Sequence, residues 1–309
     1  AWPDAPIYLW GIFPVKAKWL VGFFILITFT NAFGGAGGGV AHFAHLGGLA
    51  AAGRDKVTIV TSPQLGSIGL WVEQLLAEST GKNGRGLVPV DDEPFFNISE
   101  YGDDRNFVYI RLAGDDNTRT DAHMAALESA GRPVTRIEMG QSYNLGAEFF
   151  RWEFAVAIAA TAISVYPFDQ PDVESGKVFT RNLLESHEEA DQTLPDAFDI
   201  DGIVDTITGA RPGDYVAILG YIPESPEVDS AVSELRAAIT RRTGIATTFG
   251  YGPRYLHSTG QLHKGGPDRV IGLALVAGNE DALAASRADS GTDTEFAYGF
   301  ESLFVSQVL

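Results

Sequence analysis

KVTIVT at Lys56–Thr61 and GSIGLWVEQLLAES at Gly66–Ser79 are the two runs whose reading decides the fold. The first is short and rich in β-branched residues, which predicts a strand. The second sets Ile68, Trp71, Val72, Leu75 and Leu76 at the spacing of one helical face, which predicts a helix with one buried side. The same unit recurs outward along the chain. Asn106–Leu112 (NFVYIRL) reads as a strand, Thr120–Ala130 as a helix stopped by Gly131, and Pro133–Ile137 as the next strand. Asn144–Val165 reads as a long helix, almost all apolar after Glu153. Glu148, Arg151 and Glu153 in its first half make it a core helix rather than a membrane span. Asp214–Gly220 (DYVAILG) is a buried type of strand, Glu227–Thr243 an amphipathic helix, and Ile245–Phe249 and Arg269–Ala277 are strands. A last helix is expected over Thr294–Val308, and Asp191–Asp205 and Glu280–Asp293 read as solvated acidic connections. Strands alternating with helices predict an α/β chain: three layers, α/β/α, around a mainly parallel sheet.

Composition narrows the function. Of 309 residues 45% are hydrophobic and 11% aromatic, which excludes a disordered chain. With no cysteine, disulfides, thiolate–metal sites and cysteine nucleophiles are excluded. A net charge of −18 repels phosphate backbones and argues against a nucleic-acid partner. An anionic substrate would need a local basic pocket within an acidic shell.

Charge is not spread evenly. Trp19–Gly53 contains no Asp, Glu, Lys or Arg, whereas charged residues are dense after Gly53. Two parts are therefore expected, 1–53 and 54–309. Trp19–Phe33 (WLVGFFILITFTNAF) is apolar on every face and follows Lys16 and Lys18, as at the cytoplasmic start of a membrane helix. A span needs about 20 apolar residues, so a helix buried in protein is the alternative reading. A secretory signal fits less well, because Gly37–Gly39 and two histidines stand where a cleavage site should be. GGAGGGVAHFAHLGGLAAAG at 34–53 then resembles the last transmembrane helix of rhomboid-family intramembrane proteases, with His45 in the place of the general base. The resemblance covers about Ile12 to Gly53. The family's G-x-S-G nucleophile helix is absent from the sequence, so His42 and His45 have no serine to activate and protease activity is not expected. Membrane contact is expected through residues 19–53.

Three clusters carry chemistry. In EQLLAESTGK at Glu73–Lys82, Gly81 is a helix stop and Glu78 sits at the exit, where the helix dipole disfavours its charged form. Such a glutamate would serve as a base, or it is a solvated surface residue. In FDQPDVESGK at Phe168–Lys177, Pro171 suits a first helical turn, and Lys177 lies two turns in on the face of Val173. That lysine points into a cleft or pairs with Glu174 or Asp172 at the surface. GYGPRYLHSTGQLHKGG at Gly250–Gly266 packs five glycines, two histidines, Arg254 and Lys264 between two strands. Glycine-rich loops at the ends of parallel strands are where open α/β sheets hold ligands. His257 and His263 are not at a metal-binding spacing.

These same stretches, W-V-E-Q-L-L-A-E-S-T-G-K at 71–82, G-A-E-F-F-R-W-E-F-A at 146–155, F-D-Q-P-D-V-E-S-G-K at 168–177 and L-H-S-T-G-Q-L-H-K-G-G-P at 256–267, resemble the C-terminal half of glucose-6-phosphate isomerase, in the branch found fused behind transaldolase. Residue 172 is Asp where most of that family has Gly or Ala. The resemblance implies a sugar-isomerase-type domain over 54–309. It places the general base on Glu78, a catalytic lysine on Lys177 and the ring-opening histidine on His257, with His263 as its rival because H-S-x-G-Q follows the other two motifs here. Ser79, Thr80, Gln170, Arg254, Ser258, Gln261, His263 and Lys264 are the implied substrate-binding residues. The implied reaction is isomerisation of glucose 6-phosphate and fructose 6-phosphate through a cis-enediolate, with no cofactor or metal, in a cytoplasmic homodimer. A complete isomerase has a preceding domain with a Ser/Thr-rich phosphate loop and a G-G-R-[FY]-S segment, and neither motif is in this sequence. A chain with impaired turnover is therefore expected, and a non-catalytic sugar-phosphate-binding or membrane-tethered module is the opposing reading.

Overall fold

A computed structural model describes residues 6–9, 13–16, 46–186, 199–252 and 254–276. Trp19–Phe33, His42, His45, Glu280–Asp293 and Thr294–Val308 lie outside the described residues. Pro6–Leu9 (β1) and Phe13–Lys16 (β2) pair antiparallel. The rest follows the strand–helix alternation. Its elements are β3 (Lys56–Thr61), α1 (Gly66–Thr80), β4 (Val88–Val90), β5 (Arg105–Leu112), α2 (Thr118–Ser129) and β6 (Val134–Met139). They continue with α3 (Leu145–Ala162), α4 (Pro171–Ser186), α5 (Ile200–Thr208), β7 (Tyr215–Tyr221) and α6 (Pro226–Thr243). The last described are β8 (Ala246–Tyr251), α7 (Tyr255–Ser258), α8 (Gly260–Gly265) and β9 (Val270–Val276).

The expected parallel sheet divides in two. One has the order β4-β3-β5-β6 and the other β8-β7-β9, and every pairing in both is parallel. Edge strands β4 and β8 lie side by side without pairing. β4 has only three residues, and its middle one, Pro89, has no N–H to offer a neighbour. Side chains join the sheets instead: Ala77, Val88, Val90, Tyr215, Ala217, Ala246 and Leu262 form one buried cluster. At the starts of the strands the fully buried Lys56 reaches from β3 to the carbonyl of Gly213 and pairs with Asp55 at 2.8 Å.

Two further expectations are corrected. Asp191–Asp205 was expected to be a solvated connection, yet Ile200–Thr208 is helical. Asp199 caps it by accepting from the Gly202 amide at 2.9 Å, and Ile203 and Ile207 pack on β7. The long helix α3 is not buried all round. Trp152, Ala155, Val156, Ala159 and Ala160 form one buried stripe, while Phe150 is 60% exposed. No described helix is long and apolar enough to cross a membrane.

The seam in charge is not a seam in packing. Residues 46–51 are helical, and Leu46 belongs to the core cluster of Trp152, Ala155 and Val156. Gly47 lies so close to α3 that a Cβ there would come within 2.7 Å of the Ala162 Cβ. Residues 46–51 are thus an integral piece of the α/β core.

Candidate active site

α1 leaves the carboxyl end of β3 and returns to the start of β4, so its exit lies at the amino end of the sheet. Glu78 is half-buried there. Its Oε1 accepts from Gln74 Nε2 at 3.2 Å and its Oε2 from Gln170 Nε2 at 3.0 Å. Burial raises the Glu78 pKa above the usual carboxylate range. The two amides and the charges of Lys82 and Lys177 pull it partly back. The shift has the direction expected at a helix exit, but desolvation is its first cause.

Three segments meet at this exit. Lys82 is 2% exposed, and its Nζ donates to Tyr166 O at 2.9 Å, to Asp169 Oδ1 at 3.0 Å and to the Asp169 carbonyl. That clamps the connection from α3 into α4 against the exit of α1. Thr80 is buried, donating to Leu76 O at 2.7 Å and accepting from the Leu87 amide at 2.9 Å, so it closes the loop into β4. α8 then packs on both helices. Its Leu262 sits directly over Gly81, where any side chain would collide with the Leu262 backbone. The Gly84 amide donates to Gly265 O at 2.9 Å.

Gln261 is wholly buried at the centre of the junction. Its Nε2 donates to Gly81 O at 2.9 Å and to Asp172 Oδ2. Its Oε1 accepts from the amides of Asp172 at 3.0 Å and Val173 at 3.3 Å. Thr80 and Gln261 were expected to touch substrate. Both are sealed from solvent with their polar atoms committed, so this expectation is corrected. Asp172, which departs from the resembled motif, takes part in the same cluster: it also faces Lys264, whose Nζ lies against Gly176.

The remaining expected residues are less tightly held. Lys177 is 49% exposed and pairs with Glu174 at 2.8 Å. It stands six residues beyond Pro171, the first residue of α4, about 9 Å along the helix, and its charge reaches Glu78. Ser79 is half-buried. Arg254 is exposed, and its charge reaches the buried Glu73. Ser258 donates only to the Tyr255 carbonyl, at 3.5 Å. His257 is exposed, and among the described residues its ring makes no hydrogen bond. His263 stacks on Tyr215, its Nδ1 3.1 Å from the Tyr215 hydroxyl, and burial pushes its pKa down to about 4. Neither histidine hydrogen-bonds Glu78, Gln170 or Lys177 among the described residues. The exit of α1, the start of α4 and α8 thus meet at the amino ends of the strands, whereas Arg254 and His257 follow directly on the carboxyl end of β8, the end that the glycine-rich loop had suggested.

Sequence reasoning missed Gln74 and the roles of Lys82 and Gln261. Gln74 stands four residues before Glu78, a spacing that puts both on one helical face. The partners of Lys82 and Gln261 lie more than 80 residues away along the chain, so no local pattern marks them. Among the described residues no group of three His, Asp or Glu is placed to hold a metal ion.

No protein-family profile matches the chain. Sequence comparison does find relatives among curated proteins. The chain is 30% identical over 168 residues to the glucose-6-phosphate isomerase of Rubrobacter xylanophilus, which covers 42% of this chain and 39% of that protein. It is 30% identical over 115 residues to the glucose-6-phosphate isomerase of Prochlorococcus marinus, covering 36% and 22%. Identity to the probable glucose-6-phosphate isomerase of Haloarcula marismortui is 29% over 163 residues, covering 42% and 37%. Each match spans less than half of the relative's length. Over about two-fifths of its own length, this chain is a partial homologue of glucose-6-phosphate isomerases.

Proposed function

We propose that the chain carries the proton-transfer half of an aldose–ketose isomerase that interconverts glucose 6-phosphate and fructose 6-phosphate. The observation that carries this reading is Glu78: a half-buried carboxylate aimed by two amides, with a lysine charge in reach. In the forward direction Glu78 removes the C2 proton of the open-chain aldose, and the electrons of the C2–H bond move toward the C1 carbonyl oxygen. The resulting cis-enediolate passes the proton of its C2 hydroxyl to the C1 oxygen and takes the carbon-bound proton back from Glu78 at C1, so that C1 becomes an alcohol and C2 the ketone. Burial brings the glutamate closer to neutrality than a solvated one, which suits a base that must also return the proton. Lys177 offsets the developing negative charge. His257, accessible and unengaged, assists opening of the sugar ring.

In this reading the phosphate is held mainly by a first isomerase domain, and turnover is slow when that domain is not supplied. The alternative is a non-catalytic sugar-phosphate-binding module, which the existing Lys177–Glu174 pair favours. The N-terminal stretch is a separate proposal: residues 19–45 insert in or against a membrane, while 46–53 belong to the folded core. Detergent-dependent solubility of the full chain, lost on removing residues 19–45, is its test.

The test of function is formation of fructose 6-phosphate by the purified chain, with and without a first isomerase domain supplied in trans. Turnover that rises when the domain is added supports the proposal. Binding of the sugar phosphate without turnover in either case supports the module instead.

A further inference from the structure

α4 begins with an unusual division of labour. The Glu174 amide donates to Gln170 O at 3.2 Å, which makes Gln170 the residue that caps the helix. A capping side chain normally turns back to accept from the free amides of the first turn. The Gln170 side chain does not. It donates instead to Glu78 Oε2, across to α1. The amides it leaves open, those of Asp172 and Val173, are taken by Gln261 Oε1 from α8. Gln261 has no solvent exposure and holds the Gly81 carbonyl with its other end. One buried amide therefore fixes the first turn of α4 and the exit of α1 relative to each other.

We propose that Gln261 is a positioning residue: it caps α4 in place of Gln170 and so leaves the Gln170 amide free to hold the Glu78 carboxylate. Without it, the open amides at 172 and 173 would draw the Gln170 side chain back to its own helix, because buried helix-end donors demand an acceptor. Glu78 would then lose one of its two amide partners. Gln261 touches neither substrate nor the reacting atoms, and its effect passes through Gln170. The inference rests on Glu78 being the reacting carboxylate, but it can be tested without turnover.

The experiment is a side-chain carbon NMR titration of Glu78 in the full chain, assigned by its loss in Glu78→Gln. Gln261→Met removes both amide functions at nearly constant volume. It should move the Glu78 titration upward by about half a pH unit or more, matching the shift in Gln170→Leu. The double variant should show no further shift. Gln170→Ser supplies a local cap, so Gln261→Met should lower the melting temperature less in that background than in the wild type. This pair also keeps the test alive if Gln261→Met alone does not fold. A Glu78 titration unchanged in Gln261→Met, or a melting loss that the Gln170→Ser background does not reduce, would overturn the proposal. If the titration moves as expected while no fructose 6-phosphate forms even with a first isomerase domain supplied in trans, the positioning role stands and the isomerase reading fails.

Discussion

The two ends of the four-stranded sheet are built differently. At the amino end, buried polar groups cross-link distant segments: Lys82 holds the 166–169 stretch, and Gln261 ties α4 to α1 around Glu78. Toward the carboxyl end lies an opening of about 730 Å³, lined by Thr61, Gly66, Asp91, Phe95, Arg119 and Arg241 among others. Its arginines are exposed, and Arg119 rests on Phe95. Ligands of open α/β sheets usually bind at carboxyl ends. Here the candidate catalytic glutamate is at the other end. The comparison sets a general rule of topology against the place where particular side chains are held.

Removing the base should produce the largest effect. Glu78→Gln should lower hydrogen exchange at C2 of glucose 6-phosphate by about 100-fold or more, followed by proton NMR in heavy water. The fold should be retained, because the glutamine can still pair with Gln74 and Gln170. An exchange rate within threefold of wild type would move the chemistry away from the amino end.

Breaking the junction should come next. Lys82→Met leaves two carbonyls and Asp169 without their cation in a buried setting, and should cost about 2 to 4 kcal/mol in denaturant unfolding. Arg119→Met at the other cleft should change stability by less than about 0.5 kcal/mol.

The two ends also differ in pH response. Toward the carboxyl-end opening that Asp91 lines, Glu73 and Asp91 are raised to about 8 and about 7, chiefly by burial and then, for Glu73, by the Asp91 charge. Arg236 faces both, and Arg254 faces Glu73. Carboxyls with raised folded values bind protons more readily in the folded state than in the unfolded one. Their contribution is therefore fully present below about pH 4 and is lost as pH rises through 7 and 8. Stability from these groups should fall by a few kcal/mol between pH 5 and pH 9, and Glu73→Gln should flatten the slope in urea titrations. An unaltered slope would mean that Glu73 titrates as a solvated acid.

The smallest structural effect is expected at Lys177. Because its partner Glu174 is exposed, Lys177→Met should leave stability within about 0.5 kcal/mol. The C2 exchange rate should nevertheless fall about tenfold. Loss of stability without loss of rate would return Lys177 to the role of a surface pair.

Much of this arrangement is written locally in the sequence. The β3 strand and the start of α1 fall where alternation and helical spacing put them, and Ser225-Pro226 and the left-handed Gly244 (φ 75°) mark the ends of α6. The short β4 escaped because three residues around a proline carry no period, and they are ordered by pairing with β3 and by burial between the sheets. α5 escaped for another reason. Ile200, Ile203, Val204 and Ile207 have helical spacing, but the acidic residues around them masked it. At the site, motif and position single out Glu78 and Lys177 as candidates. Gln261 was legible only as a polar residue in a glycine-rich loop. Its part as a cap for a helix 89 residues away exists only once the chain is folded.

The central claim is that the sugar phosphate is met at the amino end of the sheet, by Glu78, Gln170 and Lys177. Titrating fructose 6-phosphate into the isotope-labelled full chain, and following backbone amide shifts, tests this directly. The account predicts that shifts concentrate at Glu78–Lys82, Gln170–Lys177 and His257–Lys264, and that Thr61, Gly66, Asp91–Phe95 and Arg119 stay still. Shifts confined to the second set would contradict it and place the ligand at the carboxyl-end cleft.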